Sequence, residues 1–337
     1  MAFQHGLGNM YDKTERLQKL CGVLAEETGS AAEAKALERA ALLSKADLVT
    51  GMVTEFTELQ GTMGREYALL DGEGGAVADA IGEQYLPRFA GDALPKSQVG
   101  RILAIADKLD NIVATFSRGQ APTGSQDPYA LRRQALGILN IVADGKVHFP
   151  LRITLRETLK NLPVKVQNPE KLIGEVVTFF AQRAKNMLLE QGVRYDIVDA
   201  VLAAPGLDDL ASIFARAAAL TKYLVNEKAD DSLQAFTRVV NITKNNEVTG
   251  IVDPALFKAP EEKALYETLM HLDKLGAASY EAILLQNDAL AEPVNAFFSA
   301  VMVMDQDEAV KHNRLALLQA VKAQVNQVAD LSQLVTK

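Results

Sequence analysis

Tryptophan is absent from this chain, and Cys21 is its only cysteine. A single cysteine excludes an internal disulfide framework and a zinc site built on cysteine. Histidine is scarce too. His5, His148, His271 and His312 are scattered. None sits at metal-ligand spacing from a second histidine or cysteine, so each reads as an ordinary surface or boundary residue. Aromatics reach only 6%, while alanine and leucine abound, a balance that favours helices over sheets. Positive charge is in deficit. The formal net charge of -8 speaks against a generally basic nucleic-acid coat but leaves room for a local basic patch. No apolar run approaches the roughly 18 residues of a membrane span. Residues Met1 to Gly6 lack a charged stretch followed by an apolar one, so no signal peptide is expected. These absences predict a soluble, cytoplasmic protein with no membrane partner. With 337 residues, 48% of them hydrophobic, the chain can hold two or three domains with a sizeable core.

What is present is helical periodicity. Asp12 to Glu27 places Leu17, Leu20 and Leu24 on one face. Ile102, Ile105, Ala106, Leu109, Ile112, Val113 and Phe116 recur at spacings of three and four. Leu210, Phe214, Ala217, Ala218 and Leu224 form a third stripe. A last helix is predicted from about Asp307 to the chain end, with Val310, Leu317, Val321, Val325, Val328 and Leu331 in register. No alternating strand pattern extends beyond a few residues. Loop chemistry falls at 71–75, 89–95 and 119–125, and larger seams fall near 145–150 and 226–231. The expected division is a helical module at 1–148, a helical connecting segment at 149–226 and a C-terminal helical module at 227–337.

Most familiar catalytic patterns are missing. Gly72-Glu73-Gly74-Gly75 follows no buried strand and lacks the Lys-Ser/Thr of a phosphate loop, so it reads as a surface loop. There is no Gly-x-Ser-x-Gly elbow. Glu55 and Glu58, three apart on an expected helix, read as a solvated face. Asp127-Pro128 is expected to open a helix, with proline at its first position. The adjacent Arg132 and Arg133 point about 100° apart, so they cannot both face one core.

Two stretches suggest a relationship. Leu43-Ser44-Lys45 is followed by Glu55-Phe56-Thr57-Glu58, and later by Ala106-Asp107-Lys108-Leu109-Asp110. This layout resembles the His-Asp phosphohydrolase superfamily, whose helical fold pairs an adjacent His-Asp with a lone Asp in an Ala-Asp-Lys/Arg-Leu setting. Asp107 fits the later Asp. Ser44-Lys45 stands where His-Asp is required, and an ammonium cannot coordinate a cation. The resemblance therefore implies a degenerate site (Ser44, Lys45, Asp107) with no metal. Asp107 is expected to serve structure, pairing with Lys45 or Lys108 or accepting backbone N–H bonds.

The chain as a whole resembles the C-terminal half of the beta subunit of bacterial glycyl-tRNA synthetase. Carrying stretches are Leu7 to Arg16, Leu43 to Leu48, Met52 to Gly64, Tyr85 to Asp92, Ile105 to Asp110, Asp127 to Gly137, Val301 to Met304 and Asn313-Arg314-Leu315. The resemblance implies an all-α chain: a degenerate His-Asp (HD-like) domain, then a DALR-like anticodon-binding domain. It implies a non-catalytic, tRNA(Gly)-binding portion of a glycine–tRNA ligase. ATP and magnesium are then used by a separate alpha subunit in an alpha2-beta2 assembly, and this chain binds no cofactor. In agreement, neither the class I signature pair nor the class II motifs occur here. The N-terminal half usual in the family is missing, so the chain reads as a fragment.

RNA readout uses stacking and base-edge hydrogen bonds, with phosphates held by Arg and Lys. Arg238, Asn241, Lys244 and Asn245 are the densest such set in the C-terminal module, although Lys-Asn-Asn is also good helix-ending chemistry. Further candidates are Lys13 and Arg16, in a basic stripe with Lys19, together with Arg132, Arg133 and Arg314. Arg314 is alternatively expected to pair with Asp307 or Glu308. Competing readings are an active metal-dependent phosphohydrolase and a purely structural helical scaffold.

Overall fold

A computed structural model describes residues 1–4, 6–226, 229–244, 246, 248 and 250–335. Among the described residues there is no strand, only isolated bridges of Ala2 with Asn9 and Thr123 with Gln126. The fold is all-α. It divides into two compact units, Met1–Ala184 with Asp208–Ser212, and Lys185–Leu207 with Ile213–Lys337. Residues 149–226 are thus shared between the units.

The first stretch carries α1 (Met10–Glu27), α2 (Ala34–Leu43), α3 (Gly51–Glu55), α4 (Thr62–Leu70), α5 (Gly75–Glu83), α6 (Gln98–Ser117), α7 (Leu131–Ala143), α8 (Leu151–Lys160) and α9 (Pro169–Glu190). Then come α10 (Tyr195–Ala203), α11 (Leu210–Tyr223), α12 (Ala229–Lys244), α13 (Pro260–Leu275), α14 (Tyr280–Asn287), α15 (Ala291–Ala300) and α16 (Glu308–Val325). Within the first unit α6 is the central rod. It touches α1, α2, α5, α7 and α8, and nearly every residue from Val99 to Phe116 is buried. A helix apolar on all sides belongs in a core. This one also carries Asp107, Lys108 and Asp110 into that core.

Local chemistry sets the helix ends. Asn9 caps α1 by accepting from the backbone N–H groups of Tyr11 and Asp12, and the Asp12 carboxylate accepts from Asn9 N–H at 2.7 Å. That reciprocal box satisfies donors a helix start leaves open. Asp127-Pro128 does not start α7 as expected. The helix begins at Leu131, and Asp127 reaches over three residues to accept from Leu131 N–H at 2.8 Å and Arg132 N–H at 2.9 Å. The chain turns at Ala130, whose φ of +52° is the only positive value among the described non-glycine residues.

The final helix also stops earlier than the pattern suggests. α16 ends at Val325, and Val328 and Leu331 are buried beyond it. Asp307 is its N-cap, accepting from Ala309 and Val310. Glu55 and Glu58 share no helix: α3 closes at Phe56, and Glu58 lies in a separate 3-10 turn. Asp230 and Asp231, expected in a seam, form the first turn of α12, where carboxylates suit the helix dipole. In α11 the buried face is Leu210, Ile213, Ala217 and Leu220, whereas Ala218 is exposed.

Candidate nucleic-acid interface and a buried charge cluster

Two helices with matching charge spacing build the centre of the first unit. Lys13 and Arg16 lie three apart on α1; Asp107 and Asp110 lie three apart on α6. Residues so spaced share a helix face, and the two faces meet. Lys13 Nζ stands 2.9 Å from Asp110 Oδ2 and 3.1 Å from Asp107 Oδ1. Arg16 donates to both oxygens of Asp110, at 2.8 and 3.0 Å, and to Leu7 O at 3.2 Å. Lys45, just past α2, completes the cluster with Nζ 3.1 Å from Asp107 Oδ1. It also donates to Gln84 Oε1 at 2.6 Å, 4.3 Å from the centre of the Tyr85 ring.

Burial alone would raise the Asp107 carboxyl pKa. The Lys13, Lys45 and Lys108 ammonium groups outweigh it and hold that pKa far below the usual carboxylate range. Asp110 is likewise held down against burial by Lys13 and Arg16. Lys108 is not a direct partner of Asp107. Its ammonium donates to Leu86 O at 2.8 Å and Gln84 O at 3.1 Å. Burial pushes its pKa down to about 8, opposed by Asp107.

A metal of the His-Asp type does not fit this site. Two ammonium groups occupy the approach to Asp107 Oδ1, and the Ser44 hydroxyl is turned away to donate to Ala41 O at 2.8 Å. Among the described residues, no three His, Cys, Asp or Glu side chains are placed to hold a metal ion.

The cluster corrects two RNA-contact expectations. Lys13 and Arg16 are 2% and 5% exposed and spend their donors on Asp107 and Asp110. Of that stripe only Lys19 is exposed. Arg314 is corrected for the same reason. It is 5% exposed, with Nε 2.8 Å from Glu262 Oε1, and Nη1 2.7 Å from Asp305 Oδ2 and 2.9 Å from Met302 O. Its partners are Glu262 and Asp305, not Asp307 or Glu308. Burial opposes the Glu262 charge, but Arg314 and two backbone N–H groups keep its pKa low.

Arg132 is half-buried and ties a loop, donating to Gly124 O at 2.6 Å and Gln126 O at 3.4 Å. Arg133 is exposed.

The second unit places its candidates differently. α12 turns one face onto α15 and α16 and leaves Gln234, Arg238, Asn241 and Lys244 exposed in a row. Asn245 lies outside the described residues. Arg238 is positioned by an aromatic platform, with its guanidinium carbon 4.5 Å from the centre of the Phe298 ring and Nη1 3.5 Å from Asn295 Oδ1. The adjacent groove, about 730 Å³, also contains Asp231, Asp288 and Glu292. Those carboxylates offset attraction to phosphate near Arg238, while Asn241 and Lys244 continue the row outside that groove.

Sequence reasoning missed Asp110, Gln84, Glu262 and Phe298. The i,i+3 match between Lys13/Arg16 and Asp107/Asp110 was a usable signal for Asp110. Glu262 and Phe298 have none, because their partners lie 52 and 60 positions away in sequence.

Comparison with known proteins agrees with this layout. The family model for the glycyl-tRNA synthetase beta subunit matches residues 1–203. The model for the DALR anticodon binding domain matches residues 232–332, spanning most of α12 through α16. A glycine–tRNA ligase beta subunit from Clostridioides difficile (strain 630) is 44% identical over 342 residues, covering all of this chain and 49% of the relative. Namesakes from Desulforamulus reducens and Syntrophus aciditrophicus are each 43% identical, over 346 and 343 residues, covering all of this chain and 50% and 49% of the relatives. The chain spans about half the length of the curated relatives it matches. On the match to residues 1–203 and these identities, the chain belongs to the glycyl-tRNA synthetase beta subunit family.

Proposed function

We propose that this chain is a tRNA-binding, non-catalytic portion of a glycine–tRNA ligase, working with an alpha subunit that uses ATP and magnesium to charge tRNA(Gly). The observation that carries the reading is the exposed row Arg238, Asn241 and Lys244 on α12, inside the span matched by the anticodon-binding model. Arg238 and Lys244 supply donors for phosphate, and Asn241 supplies an amide for a base edge. A local row of this kind is what an acidic chain needs, since its net charge of -8 gives no diffuse attraction to RNA. An alpha2-beta2 arrangement and a cytoplasmic setting follow from the same reading. Among the described residues no helix is long and apolar enough to cross a membrane.

The phosphohydrolase reading has no support in the geometry. Asp107 is taken up by Lys13 and Lys45, and ammonium groups supply no Lewis acid. The scaffold reading is separated by titrating tRNA into the alpha–beta assembly at several salt concentrations. Binding with a steep negative dependence of log K on log salt is expected. Replacing both Arg238 and Lys244 with alanine should weaken binding and lower the slope by roughly 1 per lost phosphate contact. Wild-type binding and charging by that variant would overturn the patch.

A further inference from the structure

Among the buried and half-buried arginines of the first unit, Arg16, Arg65, Arg101 and Arg156 pair with carboxylates. Arg132 and Arg183 are half-buried too, yet among the described residues neither has a carboxylate partner. A partly desolvated guanidinium without a counter-charge is unfavourable, and here there are two.

Both are mounted rigidly where α9 meets the end of α6. Phe179 on α9 packs edge-on against Phe116 on α6, with ring centres 5.2 Å apart. The Arg183 guanidinium carbon lies 3.7 Å from the centre of the Phe179 ring, and its Nη1 donates to Phe179 O at 2.8 Å. The loop that leaves α6 leads to Arg132, in the first turn of α7, and its Gly124 and Gln126 carbonyls fix that guanidinium. Partial burial and the Arg132 charge push the Arg183 pKa below the usual guanidinium range, and Asp127 is the carboxylate that opposes them. Asp127 is already engaged, since its two oxygens accept from Leu131 N–H and Arg132 N–H.

The pair therefore presents positive charge with donors to spare. Nε and Nη2 of Arg183 and Nε of Arg132 meet no acceptor among the described residues. Guanidinium forks match the oxygens of a phosphate, and stacking on Phe179 orients Arg183 before a ligand arrives. We propose that Arg132 and Arg183 together hold a phosphate of the tRNA backbone, a contact made by the first unit and separate from the α12 row. The assignment rests on the tRNA reading. Both residues contribute only charge and N–H donors, which position a nucleic acid without reading its sequence.

Titration of tRNA(Gly) into the alpha–beta assembly at several salt concentrations tests it. Arg183→Gln should weaken binding about three- to tenfold and lower the slope of log K against log salt by roughly 1. Arg156→Gln, which removes a guanidinium already paired with Glu170, should leave the slope unchanged. A wild-type slope for Arg183→Gln would overturn the clamp and leave the α12 row standing. A lowered slope there, with wild-type binding by the Arg238 and Lys244 double variant, would support the clamp and overturn the row. Absence of tRNA binding by the unsubstituted assembly would overturn both. If Arg183→Gln does not fold, phenylglyoxal labelling of the unsubstituted assembly, read by mass spectrometry, replaces it. Bound tRNA should protect Arg132 and Arg183. Equal labelling with and without tRNA would overturn the proposal, as would protection by millimolar inorganic phosphate but not by tRNA.

Discussion

Replacing Asp107 with alanine removes the carboxylate shared by Lys13 and Lys45, each 3.1 Å from its Oδ1. The two lysines are then left unequally. Lys13 keeps Asp110 and Asn111, both at 2.9 Å. Lys45 keeps the neutral amide oxygen of Gln84 and the face of Tyr85, with a side chain only 4% exposed. Its ammonium becomes a buried charge with no counter-charge. Breaking a buried pair from one side costs about 3–5 kcal/mol, so a loss near the lower end is expected because Gln84 and Tyr85 remain. Lys45→Met is the informative contrast. It deletes the charge, fills similar volume with an unbranched chain, and leaves Asp107 paired to Lys13. Its cost should be about 1–2 kcal/mol. The double variant should cost less than the sum by about 1–3 kcal/mol, because methionine leaves no charge to strand. Urea unfolding at pH 7, followed by circular dichroism and compared at constant m, measures all three. The reasoning is refuted if Asp107→Ala costs under about 0.5 kcal/mol, the range of an ordinary surface change, or no more than Lys45→Met.

The same cluster sets a pH dependence. Asp107 and Asp110 have lowered pKa values in the folded chain, so their stabilisation is present at neutral pH. It is lost as pH falls below the unfolded carboxylate value of about 4. Unfolding free energy measured between pH 5 and about pH 2 should therefore fall more steeply for wild type than for Asp107→Ala. Arg314→Met strands Glu262, which is 0% exposed, and should cost about 3 kcal/mol; a thermal melt reads this, while tRNA affinity of the folded protein should be unchanged. The chain without its catalytic partner should show no glycine-dependent ATP–pyrophosphate exchange, and detectable exchange would falsify the division of labour proposed above.

Much of the architecture was legible because helical patterning is local. The stripe from Ile102 to Phe116 announced α6, and composition favoured helices over the strands that are absent among the described residues. Errors arose where a side chain acts over a distance. Pro128 marked a helix start by local rule, yet Asp127 caps from three residues outside, and Ala130 makes the connecting turn. Lys13 and Arg16 looked like RNA-facing members of a basic stripe because periodicity records charge and not what faces it. Arg314 was ambiguous for the same reason: Glu262, its buried partner, comes from another helix. On α12 the exposed row was readable from spacing, whereas the Phe298 platform under Arg238 and the carboxylates beside it come from elements folded in later.

Asp107 shows how a buried carboxylate can be kept ionised without a metal ion. A divalent metal in a His-Asp site neutralises buried carboxylates and also polarises water. Here Lys13 and Lys45 bring two positive charges to the same oxygen, and Arg16 adds a third to Asp110. These charges offset burial, so the carboxylates stay ionised inside a helical core. They do not polarise water as a metal would, because an ammonium donates hydrogen bonds and has no vacant coordination position. Placing histidine and aspartate at positions 44 and 45 would not by itself make a metal site. Lys13 would remain 3.1 Å from Asp107, anchored by Asp110 and Asn111, and an incoming metal would have to displace it. The positive charge at Asp107 therefore comes from α1 as much as from the loop after α2. That distribution over two elements distinguishes a lysine-neutralised core from a metal site missing one ligand.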